Sequence, residues 1–187
     1  YFQIKKQGYN FEIVPILDIK NTQQARNITD ISPLHVSWVK KHYAEERKMM
    51  RNAALKRKMI RNVVSYDEIR LTKAFAKAQN VYGAESYIQG FSGYVLEILT
   101  IYYGSFLNLV KNVSKWKERT IIDPEKQLKD PLIELNKSKI HAPLILVDPV
   151  DKTRNASAVL SKEKYKLFIK ACKEFIKTKS ESFFIKK

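Results

Sequence analysis

The chain has little of what builds crosslinks and metal centres. It holds one cysteine, Cys172, and three histidines in 187 residues. A lone thiol forms no disulfide within the chain, which suits a reducing, cytoplasmic setting. His35, His42 and His141 are scattered and do not make a zinc motif with one cysteine. Five glycines and six prolines leave room for few long loops. No Gly-x-Ser-x-Gly or Walker A pattern occurs, so a self-contained active site of either kind is excluded. No apolar run approaches the ~20 residues of a helical membrane span.

Acidic residues are also scarce. There are 35 Lys and Arg against 19 Asp and Glu, a formal charge of +16. That imbalance favours a polyanionic partner, nucleic acid first and an anionic membrane surface second. A surface decorated with lysine for solubility is the bland alternative. The first residues, Tyr1-Phe2-Gln3-Ile4, are no signal peptide and include no Met. They open inside a strand pattern, as a fragment, a cleaved product or one piece of a split protein does.

What is present is core-forming. The apolar share is 44%, with ten tyrosines and nine phenylalanines, enough for one medium domain or two small ones. Residues 9 to 19 read as a strand or strand pair in which Glu12 faces away from Phe11 and Ile13. From Pro33 to Asn62 the pattern is helical and very basic, with His35, Val36, Val39 and His42-Tyr43 on one face. Ser65 and Glu68 form a capping-box signature for the next helix. Ser92 opens a helix that is apolar nearly all round, Gly104 ends it, and Ser105 starts another toward Trp116. Residues 120 to 150 read as extended or irregular, with strand candidates at Leu132–Leu135 and Pro143–Val147. Ser161 opens the last helix, whose apolar face runs through Tyr165, Phe168, Cys172 and Phe175.

Two stretches stand apart from generic core or surface. One is Gly90-Phe91-Ser92-Gly93-Tyr94, followed by Tyr103-Gly104-Ser105-Phe106. The other is Val147-Asp148-Pro149-Val150-Asp151, followed by Arg154-Asn155. Glycines and turn-setting prolines there carry polar side chains at fixed offsets. Glu12 lies mid-strand in Gly8-Tyr9-Asn10-Phe11-Glu12-Ile13-Val14-Pro15. Lys73 stands in Arg70-Leu71-Thr72-Lys73, and Tyr82 in Val81-Tyr82-Gly83-Ala84-Glu85. Each also has an ordinary structural reading: a strand Glu, a surface Lys, a packed Tyr.

Together, and in this order, these segments resemble the central region of the archaeal-type (class I) CCA-adding enzymes, the tRNA nucleotidyltransferases. The resemblance implies an α+β, predominantly helical chain. Residues 1–32 would be the C-terminal part of an incomplete nucleotidyltransferase palm, and 33–187 the central, second domain. It implies Glu12 as the third metal-binding, catalytic carboxylate, in place of the family's Asp. It implies His35, Lys73, Tyr82 and Arg154 as nucleotide-binding residues, with Arg154 reading the base. Asp148, Asp151 and Asn155 would support it, the two carboxylates holding the Arg154 fork. Departures from the family pattern are Ile31 for Arg, Leu34 for Phe and Gln89 for Arg.

The implied partners are CTP, ATP and the tRNA acceptor end, with no membrane. The implied cofactor is Mg2+, shared with carboxylates outside this chain. A partner chain or missing segment would complete the palm and tail, and this chain alone would be inactive. Two rivals remain open: a non-catalytic RNA-binding module derived from the fold, and another template-independent nucleotidyltransferase of the same superfamily.

Overall fold

The computed structural model describes residues 2–42 and 64–185. The basic run from Arg47 to Arg61 lies outside the described residues. Of the expected long helix, α1 (Ser32–Lys41) is described, with Pro33 in its first turn where a missing N–H is harmless.

The chain opens with an antiparallel hairpin, β1 (Phe2–Lys6) and β2 (Tyr9–Ile13). The Gln7-Gly8 turn has positive φ at both residues, as a tight hairpin demands. Phe2 pairs with Ile13 and Ile4 with Phe11, while Glu12 pairs with Gln3 on the opposite face. The strand expected to reach residue 19 stops at Ile13. Pro15 has no N–H to give a ladder, and the backbone beyond it is held differently. Buried Asp30 accepts N–H groups from Leu17, Arg26 and Asn27. Those bonds, Leu17's foremost, hold its carboxyl below the usual range and dock the segment against the start of α1.

The core lies among the helices α2 (Tyr66–Ala78), α3 (Gly93–Tyr103), α4 (Phe106–Val113) and α6 (Lys162–Thr178). Between α4 and α6 comes the short helix α5 (Pro131–Glu134). Leu96, Ile98 and Leu99 of α3 are fully buried, each contributing roughly 1.5–3 kcal/mol of transfer free energy. The ring of Phe75 lies 5.5–6.2 Å from those of Phe106, Phe168, Phe175, Phe183 and Phe184. Gly104, at φ +82°, ends α3 in the left-handed conformation, and the axes of α3 and α4 bend by 95° there. Among the described residues no single helix is long and apolar enough to cross a membrane.

Two local expectations are corrected. Ser65 caps α2 through the Asp67 N–H, but Glu68 does not return to complete a capping box. Its Oε2 instead accepts the Phe106 N–H at 2.6 Å, satisfying an orphan donor at the start of α4. Leu132–Leu135 is not a strand, because α5 occupies it. Asp130 caps the Leu132 N–H, Pro131 presets the first turn, and Glu134 accepts the N–H groups of Lys129 and Asp130. The Pro143–Val147 expectation matches β4 (Leu144–Leu146), which pairs in parallel with β3 (Thr120–Ile122).

Candidate functional site

The segment after β4 turns back on itself. Arg154 O accepts the Asp148 N–H, and Asp151 N and Arg154 N close the turn onto Asp148 O and Asp151 O. The fold thereby points a fully buried carboxylate, Asp148, inward. Four groups meet it. Arg154 Nη1 donates at 2.6 Å, the Tyr94 hydroxyl at 3.0 Å and the Val150 N–H at 3.0 Å, and His35 Nε2 lies at 3.2 Å. The His35 ring stacks on Tyr94 with centroids 3.9 Å apart. Burial opposes the charge on Asp148, but the His35 and Val150 hydrogen bonds and the Arg154 charge outweigh it. The carboxyl is held below its ordinary range. Burial, then the adjacent Asp148 charge, pushes the Tyr94 phenol far above its usual range.

Arg154 spends one terminal nitrogen on this cluster. Its Nε–H and Nη2 donors have no protein partner among the described residues. The side chain stays about a quarter exposed and lines an open groove of about 590 Å³ with Arg26, Ser92, Lys139, Asp151 and Asn155. Asn155 is buried and works as a splint. Its Oδ1 accepts the Leu146 and Ser157 N–H groups, and its Nδ2 donates to Lys139 O. Asp151 does not hold the guanidinium. Its carboxylate accepts from the N–H and hydroxyl of Thr153, the shorter reach in a tight turn.

A second cluster surrounds the start of α3. Lys73 Nζ lies 2.6 Å from Glu97 Oε1. A Cβ placed on Gly93 would lie 3.0 Å from the Tyr82 hydroxyl and 3.7 Å from Lys73 Nζ. Lys73 and Tyr82 therefore both lie beside the first residue of α3, where Ser92 Oγ already accepts the Val95 N–H. Tyr82 is placed by a backbone pairing with Phe91. That pairing needs glycine at position 90, where a Cβ would sit 2.2 Å from Val81 O. Gln89 contributes its carbonyl, which accepts the Ser161 N–H.

The two clusters meet through adjacent residues, Gly93 in one and Tyr94 in the other. They do not share one cavity: Tyr82 lines a separate pocket with Lys77 and Tyr87. His35 joins Arg154 rather than Lys73, and its Nδ1 is without a partner among the described residues. Glu12 joins neither cluster; it stands on the exposed hairpin. Among the described residues no group of three His, Cys, Asp or Glu side chains could hold a metal ion. One exposed carboxylate does not make a Mg2+ site, so the described residues do not fit that ion by themselves.

Two participants escaped sequence reasoning. Tyr94 was visible only as part of the Gly90–Tyr94 motif. Glu97 had a usable signal, being the one charged residue in the otherwise apolar α3. A carboxylate on such a helix calls for a cation beside it.

A family model described as tRNA nucleotidyltransferase, second domain, matches residues 67–185. The CCA-adding enzyme of Nanoarchaeum equitans is 44% identical over 172 residues, covering 90% of this chain and 39% of that protein. The CCA-adding enzyme of Thermococcus gammatolerans is 40% identical over 189 residues, covering 98% and 37%. That of Pyrococcus abyssi is 39% identical over 184 residues, covering 95% and 37%. The chain thus spans about two fifths of the length of the curated relatives it matches.

Proposed function

The chain belongs to the tRNA nucleotidyltransferase second-domain family, and from that premise we propose that it is the nucleotide-recognising part of an enzyme adding CMP and AMP to the 3′ end of tRNA. Residues 33–187 act as the central domain. Residues 1–32 supply strands to a palm, where Glu12 is one carboxylate of a Mg2+ site shared with carboxylates outside this chain. By itself the chain transfers no nucleotide.

Lys73 and Tyr82 bind the triphosphate over the N-terminus of α3, where an ammonium, a hydroxyl and backbone N–H groups suit phosphate oxygens. Arg154 reads the base. Its guanidinium only donates hydrogen bonds. Cytosine N3 and adenine N1 are acceptors, whereas uracil N3 and guanine N1 carry hydrogens. A donor aimed at that ring nitrogen therefore favours CTP and ATP and disfavours UTP and GTP. Asp148 keeps the group in register through one nitrogen and leaves the rest of the fork for the base. His35 buttresses Asp148 through Nε2, and its Nδ1 is the atom it offers to the nucleotide.

The observation that carries this reading is the pairing of Arg154 with a fully buried Asp148 beside an open groove. The test is equilibrium binding of the four nucleoside triphosphates to the chain and to Arg154→Ala. Preference for CTP and ATP that vanishes in the variant supports the assignment. Undiminished preference in Arg154→Ala rejects it. The isolated position of Glu12 favours, as second reading, an RNA-binding module without nucleotide chemistry, which binds neither triphosphate.

A further inference from the structure

A second concavity has an unusual charge balance. It measures about 530 Å³ and lies between the segment after α4, the approach to β4 and the side of α6. Lys117, Arg119, Lys162, Lys166 and Lys173 line it, against the single carboxylate of Glu118. None of those five cations has an ion pair or side-chain hydrogen bond among the described residues. Other lysines on the same helix do find partners: Lys170 lies 3.9 Å from Glu174, and Lys164 donates to Asn80 O. Five cations against one carboxylate leave this wall with a net excess of positive charge.

The floor is rigid. Trp116 stacks on Tyr165 with centroids 5.5 Å apart. The Tyr165 hydroxyl donates to Lys117 O at 2.8 Å, and Trp116 Nε1 donates to Tyr103 at 3.1 Å. A shallower groove of about 370 Å³ continues along α6, shares Lys166 and Lys173, and passes the Lys170–Glu174 pair before reaching Lys177, so it holds four cations against one carboxylate. From Lys162 to Lys177 the helix runs roughly 22 Å. A cradle of that length outruns any single phosphate, and its concavity does not match a flat lipid surface. It fits successive phosphates of one strand, for which paired lysines release counterions.

We propose that this groove along α6 is a docking surface for the phosphate backbone of RNA, separate from the groove beside Arg154. The choice of RNA among polyanions rests on the function proposed above. The variant Lys166→Glu/Lys173→Glu changes two exposed side chains and should melt within a few degrees of the parent. Lys129→Glu/Lys137→Glu makes the same change in net charge on an exposed region that does not line the groove.

The experiment measures binding of the full chain to a tRNA transcript across a salt series, and to phosphatidylserine vesicles. The groove variant should lose about tenfold or more in RNA affinity. Its slope of log affinity against log salt should fall by roughly 2, near 0.9 per phosphate contact. The charge-matched variant should keep most of the affinity and the slope. Equal losses in both variants overturn the proposal, because bulk charge then explains the binding. Loss of vesicle binding with RNA binding unchanged overturns it too. CTP binding by the parent chain reports separately on the nucleotide reading, so either can fail alone.

Discussion

Tyr94 donates its phenolic proton to the buried carboxylate of Asp148 at 3.0 Å across 54 residues of sequence. One residue lies in the first turn of α3, and the other follows β4. Their bond joins the helical core to the strand pair at the point where Arg154 is held. Replacing Asp148 with Asn keeps the shape but leaves Arg154 without its counter-charge. Breaking one side of such a pair costs about 3–5 kcal/mol. Since Arg154 is partly exposed, the lower end is expected, near 3 kcal/mol by urea unfolding, with CTP binding lost. Tyr94→Phe keeps the ring on His35 and removes only the hydroxyl, so it should cost about 1–2 kcal/mol. Equal effects would mean that the carboxylate has no special role.

Acid should affect this joint late. The folded carboxyl of Asp148 lies below its ordinary value of 3.8. Its contribution is therefore complete above that value and is lost as pH falls through the lower folded value. The unfolding free-energy gap between the parent and Asp148→Asn should stay level from pH 7 to about 4 and shrink only below. A gap that closes between pH 7 and 5 contradicts the arrangement.

Gly90 and Gly104 should respond unequally to alanine. At Gly90 the new Cβ meets backbone, Val81 O at 2.2 Å, where the Phe91 N–H also bonds. Nothing there can yield without moving Tyr82, so a loss of at least ~2 kcal/mol is expected, with weaker triphosphate binding. At Gly104 nothing lies within 4 Å, and the φ of +82° alone sets the cost, about 1–2 kcal/mol. Thermal melts of the two variants give the comparison.

The sequence announced what local chemistry decides. Ser92, Ser105 and Ser161 each precede an apolar periodic run and each caps its helix. Gly104 ends α3 where only a left-handed residue serves. Arg154 and Asp148 were singled out by the resemblance of Asp148-Pro149-Val150-Asp151 and Arg154-Asn155 to the family's turn, and their 2.6 Å contact is what the structure adds. The rest depends on partners far along the chain. Glu68 looks like a cap for its own helix but serves Phe106, 38 residues on. Lys73 finds Glu97 across 24 residues. Residues 132–135 carry a strand-like apolar pattern, yet Asp130, Pro131 and Glu134 together impose a helical turn. Asp148 and Asp151 look equivalent in sequence, and only the turn geometry sends one inward and the other to Thr153.

Nitrogen-resolved NMR of the full chain titrated with CTP puts Arg154 to the most direct test. The Arg154 Nε–H and the Gly93 amide should shift together and saturably, with UTP producing much smaller changes. Shifts confined to residues away from Arg154 and Gly93, or equal responses to CTP and UTP, would contradict base reading by this guanidinium.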